Sequence, residues 1–182
     1  MRTERIRFRH RLLWFAVCAF AGCDGPAAYH APPADTRPNR PQADTVELKD
    51  VERAAFDGLN RLRRKHRLRP LVLRADLVAM ARRHSRDMMT RGKLTHIGLD
   101  GLKLTGRADR AGVRYRAIGE NVASNFGHAD PGAKALDGWG GSPRHRRNML
   151  DARFEETGVG AARCPKTGTW YFTNVFCLRR KD

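Results

Sequence analysis

The stretch Trp139-Gly-Gly-Ser-Pro-Arg-His-Arg-Arg-Asn148 joins an aromatic anchor to a helix start and an imidazole. Ser142 followed by Pro143 reads as a helix N-cap with proline in the first turn, where its missing N–H costs no intrahelical bond. His145 then falls in that turn, beside backbone donors without helical partners, a setting that suits a polar cleft better than a core. The helix runs from Pro143 to about Leu150. Just upstream, Asp130-Pro131 caps another helix through about Trp139, with Leu136 and Trp139 facing inward.

Further toward the N-terminus, Leu48, Val51, Ala55, Leu59 and Leu62 recur at helical spacing and predict an amphipathic helix from about Thr45 to Lys65. Asp76 reads as the N-cap of a second helix, whose buried stripe is Leu77, Met80, Ala81, His84 and Met88 and whose end is near Arg91-Gly92. His84 adjoins Ser85, but neighbours on a helix do not face each other, so His84 reads as a hydrogen-bonded core histidine rather than half of a Ser–His pair. Gly98, Gly101 and Gly106 mark a loop, Arg107 to Ala111 a short helix, and Ile118 to Ala123 a turn entering a short element. Toward the C-terminus the period changes. Gly158-Val-Gly-Ala-Ala162 and Trp170-Tyr-Phe-Thr-Asn-Val-Phe-Cys177 are strand-like, and pair as a hairpin about Pro165-Lys-Thr-Gly168. Helices first and strands later predict an α+β layer fold.

Leu94-Thr95-His96, Gly119-Glu120-Asn121 and Trp139 to Asn148, in that order, resemble the signature of the CAP superfamily in its bacterial branch: cysteine-rich secretory proteins, antigen 5 and pathogenesis-related (SCP-like) proteins. Asn60, Arg63, Pro70-Leu71, His84-Ser85, Asp87-Met88 and Gly158-Val159-Gly160 fit the same pattern, so the resemblance covers roughly Asp44 to Leu178. It implies an α-β-α sandwich, a small antiparallel sheet between helical layers. It also implies a central cleft lined by two histidines and two acidic residues, sometimes holding a divalent metal. His96 and Glu120 match one histidine and the glutamate. Tyr171 stands where many eukaryotic members have the second histidine, and Ser142 where they have an acidic residue. His145 is a candidate replacement imidazole. Arg67 stands where the family commonly has a helix-ending glycine, so the turn there is expected to differ, since a side chain resists positive φ.

His96, Glu120 and His145 together would make a three-ligand zinc site with an open position, the minimum for a metal-dependent hydrolase or peptidase. Against that reading, no ligand pair shows the i, i+4 spacing of a metalloprotease helix and no separate general base is visible. Ser142 with His145 lacks the Gly-x-Ser-x-Gly elbow of a hydrolase nucleophile. The alternative is that these residues form a hydrogen-bond network holding loops to the sandwich, with ligand bound elsewhere.

At the N-terminus, Arg2, Arg5, Arg7, Arg9 and Arg11 precede an apolar run from Leu12 to Gly22, too short to span a bilayer and flanked as an export signal is. Phe20-Ala21-Gly22-Cys23 resembles a bacterial lipobox, with Cys23 as the lipidated residue. Asp24 resembles the signal that retains lipoproteins in the inner membrane, facing the periplasm. The chain thus divides into a signal over residues 1–22, a Pro/Ala-rich tether over 23–43 and a CAP domain over 44–182. Stiff, the tether would reach roughly 60 Å, and flexible about 25 Å. Loss of the signal leaves 31 basic against 18 acidic residues, a formal +13. Anionic lipid or another acidic envelope polymer is the natural partner for that charge, and export argues against nucleic acid. A solvated arginine-rich surface without a partner is the plain alternative. Cys164 and Cys177 are the disulfide candidates in an oxidising compartment, but a simple hairpin would set them far apart. The function expected is non-catalytic binding at the envelope. A metal-dependent hydrolase using His96 and Glu120, or a tethered protein-interaction module, is the alternative. Cys23→Ser is expected to move the protein from membrane to soluble fractions on cell fractionation; unchanged membrane association would refute the lipobox.

Overall fold

The computed structural model describes residues 46–180; the stretches read as export signal and tether, with Cys23, lie outside the described residues. The elements are α1 (Asp50–Lys65), β1 (Val72–Leu73), α2 (Ala75–Arg91), α3 (Leu104–Arg110), β2 (Tyr115–Asn125), α4 (Pro131–Gly141), α5 (Pro143–Leu150), β3 (Glu156–Arg163) and β4 (Trp170–Arg179). The strands form one mixed sheet in the order β1-β3-β4-β2, antiparallel except for the β1–β3 pair.

Alternation along β4 sends successive side chains to opposite faces. Phe172 and Phe176 pack with Ala55 and Leu59 of α1, Ala135 and Trp139 of α4 and Met149 of α5. Val175 and Cys177 pack with Leu77, Met80 and Ala81 of α2 and Ala108 of α3. The sheet therefore lies between two helical layers, the α-β-α sandwich expected. On the α2 face the approach is close enough that a Cβ on Gly158 would overlap the backbone of Leu77 and Val78, and one on Gly160 that of Ala81 and Arg82. Among the described residues no helix is long and apolar enough to cross a membrane.

Two buried charges lock α1 in place. Glu52, fully buried, accepts from Arg82 of α2 and from the Ala161 N–H on β3 at 3.0 Å, where the two-residue β1 no longer covers the edge of β3. Arg63, also buried, donates to the carbonyls of Arg69 (2.8 Å), Met149 (2.8 Å), Asp151 (3.1 Å) and Phe154 (3.3 Å), tying the end of α1 to the exit of α5.

Several local expectations change. α1 begins at Asp50: Lys49 is its N-cap, its carbonyl accepting the Arg53 N–H at 2.8 Å, and Val46 to Leu48 lead in as irregular chain. The N-cap of α2 is Arg74; Asp76 sits in the first turn, where it accepts from Arg179 at 2.6 Å instead. The turn read at Ile118 to Ala123 is the middle of β2, an eleven-residue strand paired with β4 along its length. Cys164 and Cys177 are both free thiols. The hairpin register puts Cys177 opposite Glu156, whereas the Cys164 N–H bonds the Thr169 carbonyl at the turn. That separates them by about 26 Å of strand, far beyond the roughly 7 Å a disulfide tolerates between Cα atoms. Burial pushes the Cys177 thiol up to about 12.

Arg67 does adopt the left-handed turn, at φ 57°. The Leu68 N–H bonds the Arg63 carbonyl and the Arg67 N–H the Arg64 carbonyl, both at 2.9 Å, a Schellman closure that overrides the side-chain preference. The Cβ strain costs about 1–2 kcal/mol, offset by glycine's extra unfolded-state entropy of about 0.5–1 kcal/mol. Arg67→Gly is therefore expected to stabilise the domain by on the order of 0.5 kcal/mol. A higher urea midpoint at unchanged slope would confirm this; a lower one would mean that the arginine side chain outweighs the strain.

Candidate functional site

β2 is one edge of the sheet, with α3 packed near one face of it and α4 and α5 near the other. Glu120 and Asn121 are adjacent on β2, so their side chains leave by opposite faces. Glu120 meets the loop that follows α2, and Asn121 meets α5.

Glu120 is 7% exposed. One carboxylate oxygen, Oε1, accepts from His96 Nδ1 at 2.9 Å; the other, Oε2, accepts from Arg107 Nη2 at 2.7 Å. Arg107 comes from α3, is itself 5% exposed, and also reaches the His96 carbonyl at 3.4 Å. His96 is exposed, so the assembly runs inward from a surface imidazole through a buried carboxylate to a buried guanidinium. Behind it, His84 is fully buried and bonds the Thr95 carbonyl through Nε2 at 2.9 Å, as a core histidine should. Nε2 must carry that hydrogen because a carbonyl only accepts. Burial, partly opposed by Glu120, holds its pKa down. Ser85 bonds not to His84 but to the Gly160 carbonyl and the Thr173 hydroxyl, both at 2.9 Å.

On the other face, Asn148 of α5 donates to the Glu120 carbonyl at 3.2 Å and to Asn121 Oδ1 at 2.9 Å. Asn121 Nδ2 in turn donates to the His145 carbonyl at 3.0 Å. This clamp also uses an edge carbonyl that would otherwise invite pairing with another strand.

Of the residues singled out in the sequence, His96 and Glu120 come together. His145 lies near enough for the two imidazoles to repel: burial first, then His96 and Arg144, lower its pKa. Its carbonyl, rather than its ring, makes the contact with Asn121. Ser142 holds the N-cap position of α5 by its backbone, but its side chain makes no capping bond. Tyr171 is buried against Met88 and Val122 and pairs with Ser124. It is four residues along β4 from Val175, the partner of Glu120, or about 13 Å away.

The three-ligand metal site does not assemble: among the described residues no group of three or more His, Cys, Asp and Glu side chains is placed to hold a metal ion. Both Glu120 oxygens are engaged, and one of them faces a permanent cation. The donor set does not fit zinc. Arg107 is the residue that sequence reasoning missed. Among 36 Lys and Arg, one buried arginine leaves no trace in composition or spacing.

The family model described as "CAP: Cysteine-rich secretory protein family" matches residues 56–177. The membrane protein YlbC of Bacillus subtilis is 30% identical over 128 residues, 70% of this chain and 34% of its own length. Among solved structures, an extracellular SCP-domain protein from Bacillus anthracis is 27% identical with a TM-score of 0.62, over 75% of this chain and 45% of that one. An outer surface protein of Borrelia burgdorferi has a TM-score of 0.66 at 17% identity, over 76% of this chain and 100% of its own, a likeness of fold alone. The chain spans between a third and about half of the length of the curated relatives it matches.

The depressed pKa of His84 has a sign that can be tested. Below about 6.5 the unfolded chain takes up the proton that the folded imidazole refuses, so stability falls with pH until the folded group also protonates. Urea unfolding should show lower stability at pH 5 than at pH 7.5. His84→Gln should reduce that dependence without abolishing it, since His145 shifts in the same direction. Equal pH dependence in the two proteins would show that His84 is not held neutral.

Proposed function

The chain belongs to the CAP, or cysteine-rich secretory protein, family, and on that premise we propose that it is an exported, lipid-anchored protein that binds anionic lipid at the cell envelope without catalysis. The observation that carries this reading is the loop after α2. Leu94, Ile97 and Leu99 are 44%, 40% and 49% exposed, in a segment that also presents His96. Three arginines contact that segment: Arg83 and Arg110 through Asp100, and Arg91 through the Gly98 carbonyl. Lys93 and Lys103 flank it in sequence, both exposed. Apolar side chains ringed by cations suit a surface with acidic head groups over an apolar interior.

The relatives fit this address without fixing it. One is a membrane protein, one extracellular and one an outer surface protein. The metal-hydrolase alternative loses its donor set to Arg107, and among the described residues the side chains bonded to His96 and Glu120 are those of each other, Arg107 and Asn148, none of them a nucleophile for hydrolysis.

The test uses Cys23→Ser protein, which lacks the anchor, sedimented with vesicles of phosphatidylglycerol and phosphatidylcholine or of phosphatidylcholine alone. Binding is expected to the anionic vesicles only, to weaken several-fold between low and physiological salt, and to drop further in Ile97→Asp/Leu99→Asp. Equal binding to both vesicle types, or none to either, would overturn the lipid reading. Salt-sensitive binding to an acidic wall polymer in place of vesicles would transfer it to that partner.

A further inference from the structure

We propose that Arg107 is a built-in cation: it occupies the electrostatic place beside Glu120 that a bound metal ion would take, and through Glu120 it fixes which nitrogen of His96 carries the proton. Arg107 is a positioning residue in this arrangement, and the inference stands apart from the lipid-binding reading, since it concerns the buried pair behind His96 and not the exposed apolar side chains of the loop.

Three observations lead to it. First, Arg107 and Glu120 are 5% and 7% exposed and joined at 2.7 Å, so each is the counter-charge that makes the other's burial tolerable. A guanidinium cannot give up its proton, so this cation is permanent. Secondly, Arg107 Nε and Nη1 are buried without a partner among the described residues, as is His84 Nδ1. The guanidinium is therefore spent on Glu120 and on one long bond to the His96 carbonyl, and it keeps a positive field on the side of the carboxylate away from the surface. A second cation entering there would meet that charge at close range, against the pull of a carboxylate already half neutralised by Arg107. Thirdly, an ionised carboxylate accepts and never donates, so the 2.9 Å contact to Oε1 requires a hydrogen on His96 Nδ1. In the neutral ring this leaves Nε2 as the acceptor. The exposed imidazole thus offers a lone pair to a ligand N–H or O–H without any metal being involved.

The experiment is long-range ¹H–¹⁵N correlation of histidine side chains in the Cys23→Ser protein at pH 8, with and without zinc. His96 is expected as the Nδ1–H tautomer, with its signals unmoved by a few equivalents of zinc. An Nε2–H tautomer, or His96 signals that shift stoichiometrically with zinc, would overturn the proposal with no variant needed. In Arg107→Met, zinc is expected to perturb His96 at a concentration at least tenfold lower than in the parent protein. Arg107→Lys, which restores the charge, is expected to exclude zinc again. A folded Arg107→Met that gains no zinc response would overturn the exclusion. Should that variant not fold, the parent's tautomer and zinc response still decide the proposal.

Discussion

α2 lies on β3 at backbone contact, and the layout of the domain follows from that approach. It is open only to glycine at Gly158 and Gly160, where any Cβ would enter the helix backbone. Once α2 is seated there, Ser85 reaches both the Gly160 carbonyl and the Thr173 hydroxyl, which fixes the helix against two strands at once. Its C-terminus is then placed so that Gly92, left-handed at φ 63°, turns the chain back across the face of β2. Arg91 holds the returning loop through the Gly98 carbonyl, and Asp87 through the Leu99 N–H at 3.2 Å. His96 meets Glu120 because the loop is pinned at its far side. The position of a surface imidazole is thus set by two glycines in a strand it does not touch.

The high arginine content takes on a different meaning in this setting. Most of these side chains are solvated, as composition suggests, but Arg63 and Arg107 are interior cross-links. Arg63 is satisfied by carbonyls alone, which suits the forked geometry of a guanidinium and which the single ammonium of a lysine would not reproduce. Arg107 is satisfied by a carboxylate, and Glu52 repeats the pattern with the signs reversed, between Arg82 and a strand N–H. A buried pair of this kind adds little net stability over an apolar replacement, but losing one member costs about 3–5 kcal/mol. Such pairs tell the helices where to sit more than they strengthen the fold.

How far the sequence could be read depended on whether a residue's role was local. α4 and α5 carry their own start signals, Asp130-Pro131 and Ser142-Pro143, and α4 realises its cap through Asp130 to the Ala133 N–H at 2.9 Å. The β3–β4 hairpin announces itself by β-branched and aromatic residues around a Pro-Lys-Thr-Gly turn. β2 does not: its centre is Gly119-Glu120-Asn121, three poor strand formers, and only tertiary pairing with β4 makes it a strand. Missing that strand had a cost at the site. Alternation along it would have sent Glu120 toward the loop after α2 and Asn121 toward α5, where His145 meets it by its carbonyl and not its ring. Family correspondence suggested Tyr171 and Ser142 by column, whereas register places Tyr171 opposite Ser124, well along the strand from Glu120. Arg107 was out of reach altogether, since nothing local marks one arginine as buried.

The chemistry left to the site follows from what its groups are already doing. A neutral Glu120, the form an acid needs, would leave Arg107 a buried cation with no counter-charge. For it to bind a metal it would have to share its oxygens with one more positive centre. Both routes run uphill by the desolvation that the present pairing offsets. His96 is different: its ring is exposed, one nitrogen is fixed by Glu120, and the other is left to accept. A site arranged in this way is organised to hold a donor in one orientation, and the organising charge comes from the chain itself. Under the binding role proposed above, the apolar and cationic loop would supply affinity and His96 direction, and neither would require the Glu120–Arg107 pair to open.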